Sequence, residues 1–226
     1  MDYAIIVAGG KGLRMGSDIP KQFLLLDGRP ILMRTIERFR EYSPSLDIIL
    51  VLPRDQQDYW HELCRKYSFD VKVRIADGGD TRYQSVKNGL SLIGEAERGV
   101  VGVHDGVRPL LTTDLIGRCY DGARVAQMCI PVIPVTDTLR HKDKGTVPRS
   151  DYRLVQTPQC FRISLMRKAY EQPYCENFTD DASVCEPFAE NASFVDGEPT
   201  NIKLTRPFDM AVGEAILKNG LNKPIC

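Results

Sequence analysis

The sequence predicts an α/β protein built on a doubly wound, mostly parallel, Rossmann-like sheet. Two observations carry this. Short β-branched runs of strand length alternate with amphipathic segments of helical period along the first 132 residues. The first such run, Tyr3 to Ala8, also passes directly into Gly9, Gly10 and Gly12, a strand-to-glycine-loop junction at which α/β sheets bind ligands.

Each element has its own signal. Residues 2–8 read as a buried strand by their apolar run. Ile31–Tyr42 reads as a helix, with Leu32, Ile36 and Phe39 on one face and Pro30 suited to its first turn. The alternation continues with a strand at Ile48–Leu52, a helix at Gln56–Tyr67, a strand at Val71–Ala76 and a helix at Thr81–Ile93. Val100–His104 then reads as a strand, Thr112–Ala126 as a helix and Met128–Val132 as a strand. After Pro134 the rhythm breaks. Thr136–His141, the turn-like Lys142–Gly145 and Thr146–Leu154 read as a polar hairpin with no helix between its arms. A helix at Ile163–Glu171, a short helix after Thr179, a strand pair around Phe194 and Ile202, and a helix at Pro207–Lys218 complete the chain. With no repeat, low-complexity tract or linker, residues 1–226 are expected to form a single domain with an inserted arm at about 136–154.

Composition excludes several classes. The chain has 226 residues, 42% hydrophobic and 27% charged, an ordinary globular balance. Thirty basic residues match thirty acidic ones, so the basic excess of a protein that coats nucleic acid or an anionic membrane is missing. No apolar run approaches membrane-helix length, and no basic segment precedes the first apolar one as in a signal peptide. A cytoplasmic protein with no nucleic-acid or membrane partner is expected. The seven cysteines (64, 119, 129, 160, 175, 185 and 226) form no Cys-x-x-Cys pair and are read as buried free thiols. No metal-ligand set is visible among them and the three histidines.

The chemistry-bearing residues cluster after the first strand. Ala8-Gly9-Gly10-Lys11-Gly12-Leu13-Arg14-Met15-Gly16 is followed by Pro20-Lys21-Gln22. Glycines after a buried strand let backbone N–H groups close on a phosphate, and Arg14 and Lys21 can neutralise its charge. A P-loop is excluded because Gly12, not Ser or Thr, follows Lys11. The dinucleotide fingerprint is excluded because the last glycine comes one residue too late and Pro20 interrupts the following helix. Asp105 ends a strand at its carboxyl end, where a carboxylate reaches a ribose or a metal, or caps a turn. Asp80 and Ser85 flank a helix start, where capping competes with nucleotide contact.

These motifs resemble the sugar-nucleotide and alditol-phosphate nucleotidyltransferases. Within that group, Gly78-Gly79-Asp80-x-Arg82-x-x-Ser85, His104-Asp105-Gly106-Val107-Arg108-Pro109, Pro134-Val135-Thr136-Asp137-Thr138, Gln156-Thr157-Pro158-Gln159, Thr179-Asp180-Asp181-Ala182-Ser183 and Asn201-Ile202-Lys203-Leu204-Thr205 resemble the methylerythritol phosphate cytidylyltransferases of the non-mevalonate isoprenoid pathway. The resemblance implies transfer of CMP from CTP to a small polyol phosphate, with Mg²⁺ carried mainly by the CTP phosphates. It implies that Arg14 and Lys21 stabilise the transition state, and that Lys203 and Arg149 position the acceptor phosphate. Ala8, Gly9, Gly10, Gly12, Gly79, Asp80, Ser85 and Asp105 are then expected at the nucleotide, and Arg108, Thr138, Thr157 and Thr179 at the acceptor. It also implies a homodimer in which each arm carries its Arg149 into the partner's site. Gly9 stands where the family more often has alanine, and the Gly-Gly loop also resembles ribitol 5-phosphate cytidylyltransferases; the motifs at 137–139 and 179–183 favour methylerythritol phosphate. Two other classes fit less well. A glycosyltransferase would generally present Asp-x-Asp, which does not occur in the chain, and a non-catalytic nucleotide-binding module has no reason to keep Arg14, Lys21 and Lys203 together.

Overall fold

Five residues, Tyr3–Val7 (β1), lie in the middle of the main sheet, and their alternation divides the core in two. Ala4 and Ile6 face one layer, Tyr3 and Ile5 the other, and all four are buried. The computed structural model describes residues 1–10 and 19–222, so the expectations for Gly12, Arg14 and Cys226 fall outside the described residues.

A short hairpin, β2 (Leu25–Leu26) and β3 (Arg29–Pro30), turns through Asp27 and Gly28, both at positive φ. Pro30 then stands at the N-cap of α1 (Ile31–Tyr42), which buries Leu32, Ile36 and Phe39. The alternation continues through β4 (Asp47–Leu52), α2 (Arg54–Lys66), β5 (Arg74–Asp77), α3 (Arg82–Ser91), β6 (Val100–Asp105), α4 (Thr113–Ala126) and β7 (Met128–Pro134). Thr81 and Thr112 are N-caps, their hydroxyls accepting from the N–H groups of Gln84 at 3.0 Å and Leu115 at 3.1 Å. After β7 come β8 (Leu139–His141), β9 (Gly145–Val147), β10 (Arg153–Val155), β11 (Gln159–Arg162), α5 (Ile163–Ala169), α6 (Asp181–Cys185), β12 (Ala192–Asp196) and α7 (Pro207–Lys218).

The main sheet runs β5-β4-β1-β6-β11-β7-β10, with β12 also paired to β7. β5, β4, β1 and β6 are mutually parallel, as the strand–helix alternation predicts. α1, α2 and α4 cover the layer of Ile6 and Leu50, while α3 and α5 cover that of Ile5 and Val51. A third cluster packs Leu204 and Ile216 of the last segment on Leu26, Ile31, Val107 and Leu110.

Four readings are corrected. β11, absent from the sequence reading, runs antiparallel between β6 and β7; only Cys160 and Phe161 separate its polar ends, too short a stretch for a period to register. No strand forms at Ile202: no ladder pairs the segment, which is tied instead by separate bonds, among them the Leu204 N–H to the Val107 carbonyl at 2.9 Å and the Asn201 side-chain amide to the Thr157 carbonyl at 2.8 Å. The second half of the predicted hairpin divides. β9 pairs with β8, then a 3₁₀ turn at Arg149–Asp151 leads into β10, which leaves the arm and pairs antiparallel with β7. Of the cysteines, 119, 129, 160 and 185 are buried as expected, whereas Cys64 is half-buried and Cys175 exposed. Among the described residues no helix is long and apolar enough to cross a membrane.

Candidate active site

Strand register assembles the site. Val7 lies opposite Asp105 across β1 and β6, and Leu52 opposite Asp77 across β4 and β5. The segments leaving β1, β5 and β6 therefore emerge side by side at the carboxyl edge of the sheet. Backbone bonds stitch them there: Gly106 N–H to the Val7 carbonyl at 2.9 Å, Ala8 N–H to Val51 at 2.9 Å and Gly78 N–H to Leu52 at 2.8 Å. The result is a cleft of about 290 Å³ lined by Ala8, Gly9, Gly10, Lys21, Gly79, Asp80, Ser85, Asp105 and Lys203, together with Val7, Gln22, Thr81, Arg82 and Val107.

Asp105 is the electrostatic centre. Its Oδ2 lies 2.9 Å from Lys203 Nζ and 3.3 Å from Arg108 Nε, and its Oδ1 lies 3.8 Å from an Arg82 guanidinium nitrogen. Burial alone would push this carboxyl up, but Lys203, then Arg82 and Arg108, outweigh it and hold the group below the usual carboxylate range. Lys203 reaches this position through the Leu204–Val107 tether, which lays its segment beside the end of β6.

Beneath Asp105 lies a polar brace. His104 is fully buried; its Nε2 donates to the Arg108 carbonyl at 3.1 Å, because a carbonyl can only accept. Nδ1 is then the acceptor for the Thr157 hydroxyl at 2.9 Å, and the Thr157 oxygen in turn accepts from the Asp105 N–H at 3.2 Å. Burial lowers the His104 pKa to about 4, so the ring is neutral at physiological pH. Both its nitrogens are occupied, and it is no base for the cleft.

Close approach explains two of the glycines. A Cβ on Gly10 would lie 3.2 Å from Lys21 Cε, so the lysine stem passes against bare backbone. A Cβ on Gly79 would lie 2.4 Å from Gln84 Cγ and 2.6 Å from its Cβ, at the mouth of α3. The Gly79 N–H donates to Ser85 Oγ at 3.0 Å, and that hydroxyl donates to the Thr81 carbonyl at 2.9 Å. Ser85 thus shapes the glycine turn, and Asp80 at its tip is exposed. Gln22, fully buried, donates to the Ala8 carbonyl at 2.8 Å and fixes the start of the loop.

The predicted acceptor residues are dispersed. Arg108 turns inward, donating to Asp105 and, at 2.8 Å, to the Asn201 carbonyl. The Thr157 hydroxyl is spent within the brace. Thr179 is exposed on the loop before α6, where its N–H donates to Ser183 Oγ at 3.1 Å. Thr138 and Arg149 are exposed on the arm, outside the cleft, and Arg149 donates to the Thr136 carbonyl. Two further residues stand in the sequence motifs but were given no role at the site. Arg82 lines the cleft and pairs with fully buried Asp181 at 2.5 Å. Burial would lower the Arg82 pKa, but Asp181 and Asp105 raise it. Removing Arg82 would leave the buried Asp181 carboxylate uncompensated. The motif Gly79-Asp80-x-Arg82 is the only local trace of this role.

Among the described residues no three His, Cys, Asp or Glu side chains gather to hold a metal ion. Asp105 offers a carboxylate at the cleft, already faced by three cations. One carboxylate so paired is no metal cage, and a cation bound here would take most of its ligands from elsewhere.

Comparison with known proteins agrees with this geometry. The family model described as IspD, 2-C-methyl-D-erythritol 4-phosphate cytidylyltransferase, matches residues 3–219. The protein of that name from Phocaeicola vulgatus is 54% identical over 219 residues, spanning 95% of this chain and 99% of its own. That from Bacteroides thetaiotaomicron is 54% identical over 216 residues, spanning 94% and 98%. Among solved structures, 4-diphosphocytidyl-2C-methyl-D-erythritol synthase from Anaerococcus prevotii matches with a TM-score of 0.81 at 28% identity, covering 96% of this chain and 98% of that one. The Francisella tularensis 2-C-methyl-D-erythritol 4-phosphate cytidylyltransferase matches at 0.78 with 31% identity, covering 95% and 98%. With a family model spanning nearly the whole chain and half of all positions shared with these relatives, the chain belongs to the 2-C-methyl-D-erythritol 4-phosphate cytidylyltransferase family.

Proposed function

We propose that this protein transfers CMP from CTP to 2-C-methyl-D-erythritol 4-phosphate, releasing pyrophosphate and forming 4-diphosphocytidyl-2-C-methyl-D-erythritol for non-mevalonate isoprenoid synthesis. The observation that carries this is the single cleft gathering the Ala8–Gly10 loop, Lys21, Asp105 and Lys203 at the carboxyl edge of the sheet. An acceptor phosphate oxygen attacks the α-phosphorus of CTP; the new P–O bond forms as the bond to the β-phosphate bridging oxygen breaks, and pyrophosphate leaves with that electron pair. The acceptor's second pKa is about 6, so its phosphate is ionised near neutrality and needs no general base. This suits a site whose nearest histidine is buried and neutral.

What the chain must supply is positive charge in fixed positions. Lys21, seated against Gly10 at the loop, is suited to the α-phosphate, and Arg14 shares that task by its place in the same motif. Lys203, held 2.9 Å from Asp105 in the same cleft, orients the acceptor phosphate. Mg²⁺, carried mainly by the CTP phosphates, withdraws charge from the reacting phosphate when bound. Asp105, in the cleft at the end of β6, is the carboxylate that would meet the ribose or that ion. Arg149 and Thr138 reach a site through a homodimer in which the arm at 136–154 extends to a second subunit; their exposure outside the cleft of their own chain supports this. Free thiols at 64, 119, 129, 160, 175 and 185 suit a reducing cytoplasm.

Steady-state pyrophosphate release with CTP and Mg²⁺, with methylerythritol 4-phosphate and ribitol 5-phosphate offered in parallel, tests the acceptor. The first is expected to be used at least about tenfold better in kcat/KM, about 1.4 kcal/mol of transition-state discrimination. Preference for the second would move the protein to polyol-phosphate chemistry, and silence with both would leave a nucleotide-binding module.

A further inference from the structure

Arg82 opens α3 at the edge of the cleft and faces two carboxylates from different parts of the chain. One guanidinium nitrogen lies 2.5 Å from Asp181 Oδ2 and another 3.8 Å from Asp105 Oδ1. Asp181 is the first residue of α6 and fully buried, and its Oδ1 accepts from the Tyr170 hydroxyl at 2.7 Å. Among the described residues Arg82 is the only cation paired with Asp181, whereas Asp105 has Lys203 and Arg108 as well. The next residue extends the same junction. Tyr83 donates to the Tyr170 carbonyl at 2.9 Å and stacks on the Tyr170 ring with centroids 4.8 Å apart. On the other side of α3, Ser85 holds the Gly79 turn. One helix start therefore grips both the glycine turn of the cleft and the segment running to Thr179 and Asp181.

We propose that Arg82 is a positioning residue that clamps the segment Thr179–Asp181 to the nucleotide side of the cleft, so that the acceptor meets a wall held by α3. The assignment of nucleotide and acceptor to the two sides rests on the function proposed above; the clamp itself rests on the ion pairs. Because Asp105 keeps two other cations when Arg82 is weakened and Asp181 keeps none, the acceptor side should loosen first.

Three variants test this. Arg82→Lys keeps the charge but loses the planar fork, Arg82→Gln loses both, and Tyr170→Phe loosens Asp181 without altering any charge or any residue lining the cleft. For Tyr170→Phe, which leaves the cleft lining intact, the acceptor KM is expected to rise at least about fivefold while CTP affinity measured calorimetrically without acceptor stays within about twofold; Arg82→Lys should raise the acceptor KM at least as far. Arg82→Lys should recover part of the loss seen in Arg82→Gln. Amide hydrogen exchange over residues 178–185 should quicken about tenfold or more in Arg82→Lys, with residues 3–7 unchanged. Equal losses for CTP and acceptor in Tyr170→Phe, or unchanged exchange over 178–185 in Arg82→Lys, would overturn the clamp. If the wild type used no polyol phosphate, the proposed function would fall, and the exchange comparison would still decide the clamp.

Discussion

Asp105 and His104 are neighbours with opposite electrostatic fates, and both bear on stability. His104 has a folded-state pKa of about 4 against an ordinary 6.5, so the unfolded chain binds the extra proton between those values. Stability should therefore decline as pH falls from about 6.5 to about 4, by up to about 3 kcal/mol from this residue. Asp105 acts in a lower window. Its pKa is depressed below 3.8, so its contribution is present above that value and is lost only as pH falls further. Thermal melts between pH 6.5 and 5 should show the His104 slope, and His104→Gln should remove most of it; an equal slope in both proteins would contradict the burial argument. Lys21 carries the corresponding prediction for catalysis. Lys21→Ala should lower kcat/KM by well over tenfold, more than ~1.4 kcal/mol of transition-state stabilisation, in a steady-state assay. Residues such as Lys21, Asp105 and Lys203 were legible in the sequence because each stands at a fixed place in a short motif. Arg82 and Asp181 also stand in such motifs, but their pairing was not legible, since it joins positions 99 residues apart and depends on the topology. Nor was the inward turn of the Thr157 hydroxyl, which only its buried partners reveal.

Elements were legible where an apolar period ran long enough. α1 and α7 match their predicted spans, and β1, β4 and β6 follow theirs within two residues. β11 escaped because its pairing partners, rather than its own four residues, make it a strand. The two loops at the cleft behave differently despite a shared glycine richness. A Cβ at Gly9 would meet nothing within 4 Å, so alanine fits this place without a clash. At Gly79 the added carbon would collide with the start of the Gln84 side chain, which the helix backbone holds in place. Gly9→Ala should leave stability within about 0.5 kcal/mol of wild type, while Gly79→Ala should cost about 1–3 kcal/mol. Urea unfolding of the two variants separates these outcomes, and similar losses in both would contradict the steric account.

At the scale of the molecule, the cleft of one chain contains Lys21 and Lys203 while Arg149 lies on the arm outside it. If the arm serves a second subunit, two different defects should complement each other. Arg149→Ala and Lys21→Ala homodimers should both be impaired. Mixed and allowed to exchange, they should recover about a quarter of wild-type activity, because half the dimers are mixed and each of those has one intact site. No recovery, with exchange verified by sedimentation of labelled chains, would place Arg149 in its own chain's site or in none. The central claim, however, concerns the bond made in the cleft, and ³¹P NMR of a reaction containing CTP, Mg²⁺ and methylerythritol 4-phosphate reads it directly. The account predicts one coupled diphosphodiester pair and one pyrophosphate for each CTP and acceptor consumed. CTP left intact, or CTP hydrolysed while the acceptor phosphate stays a monoester, would contradict it.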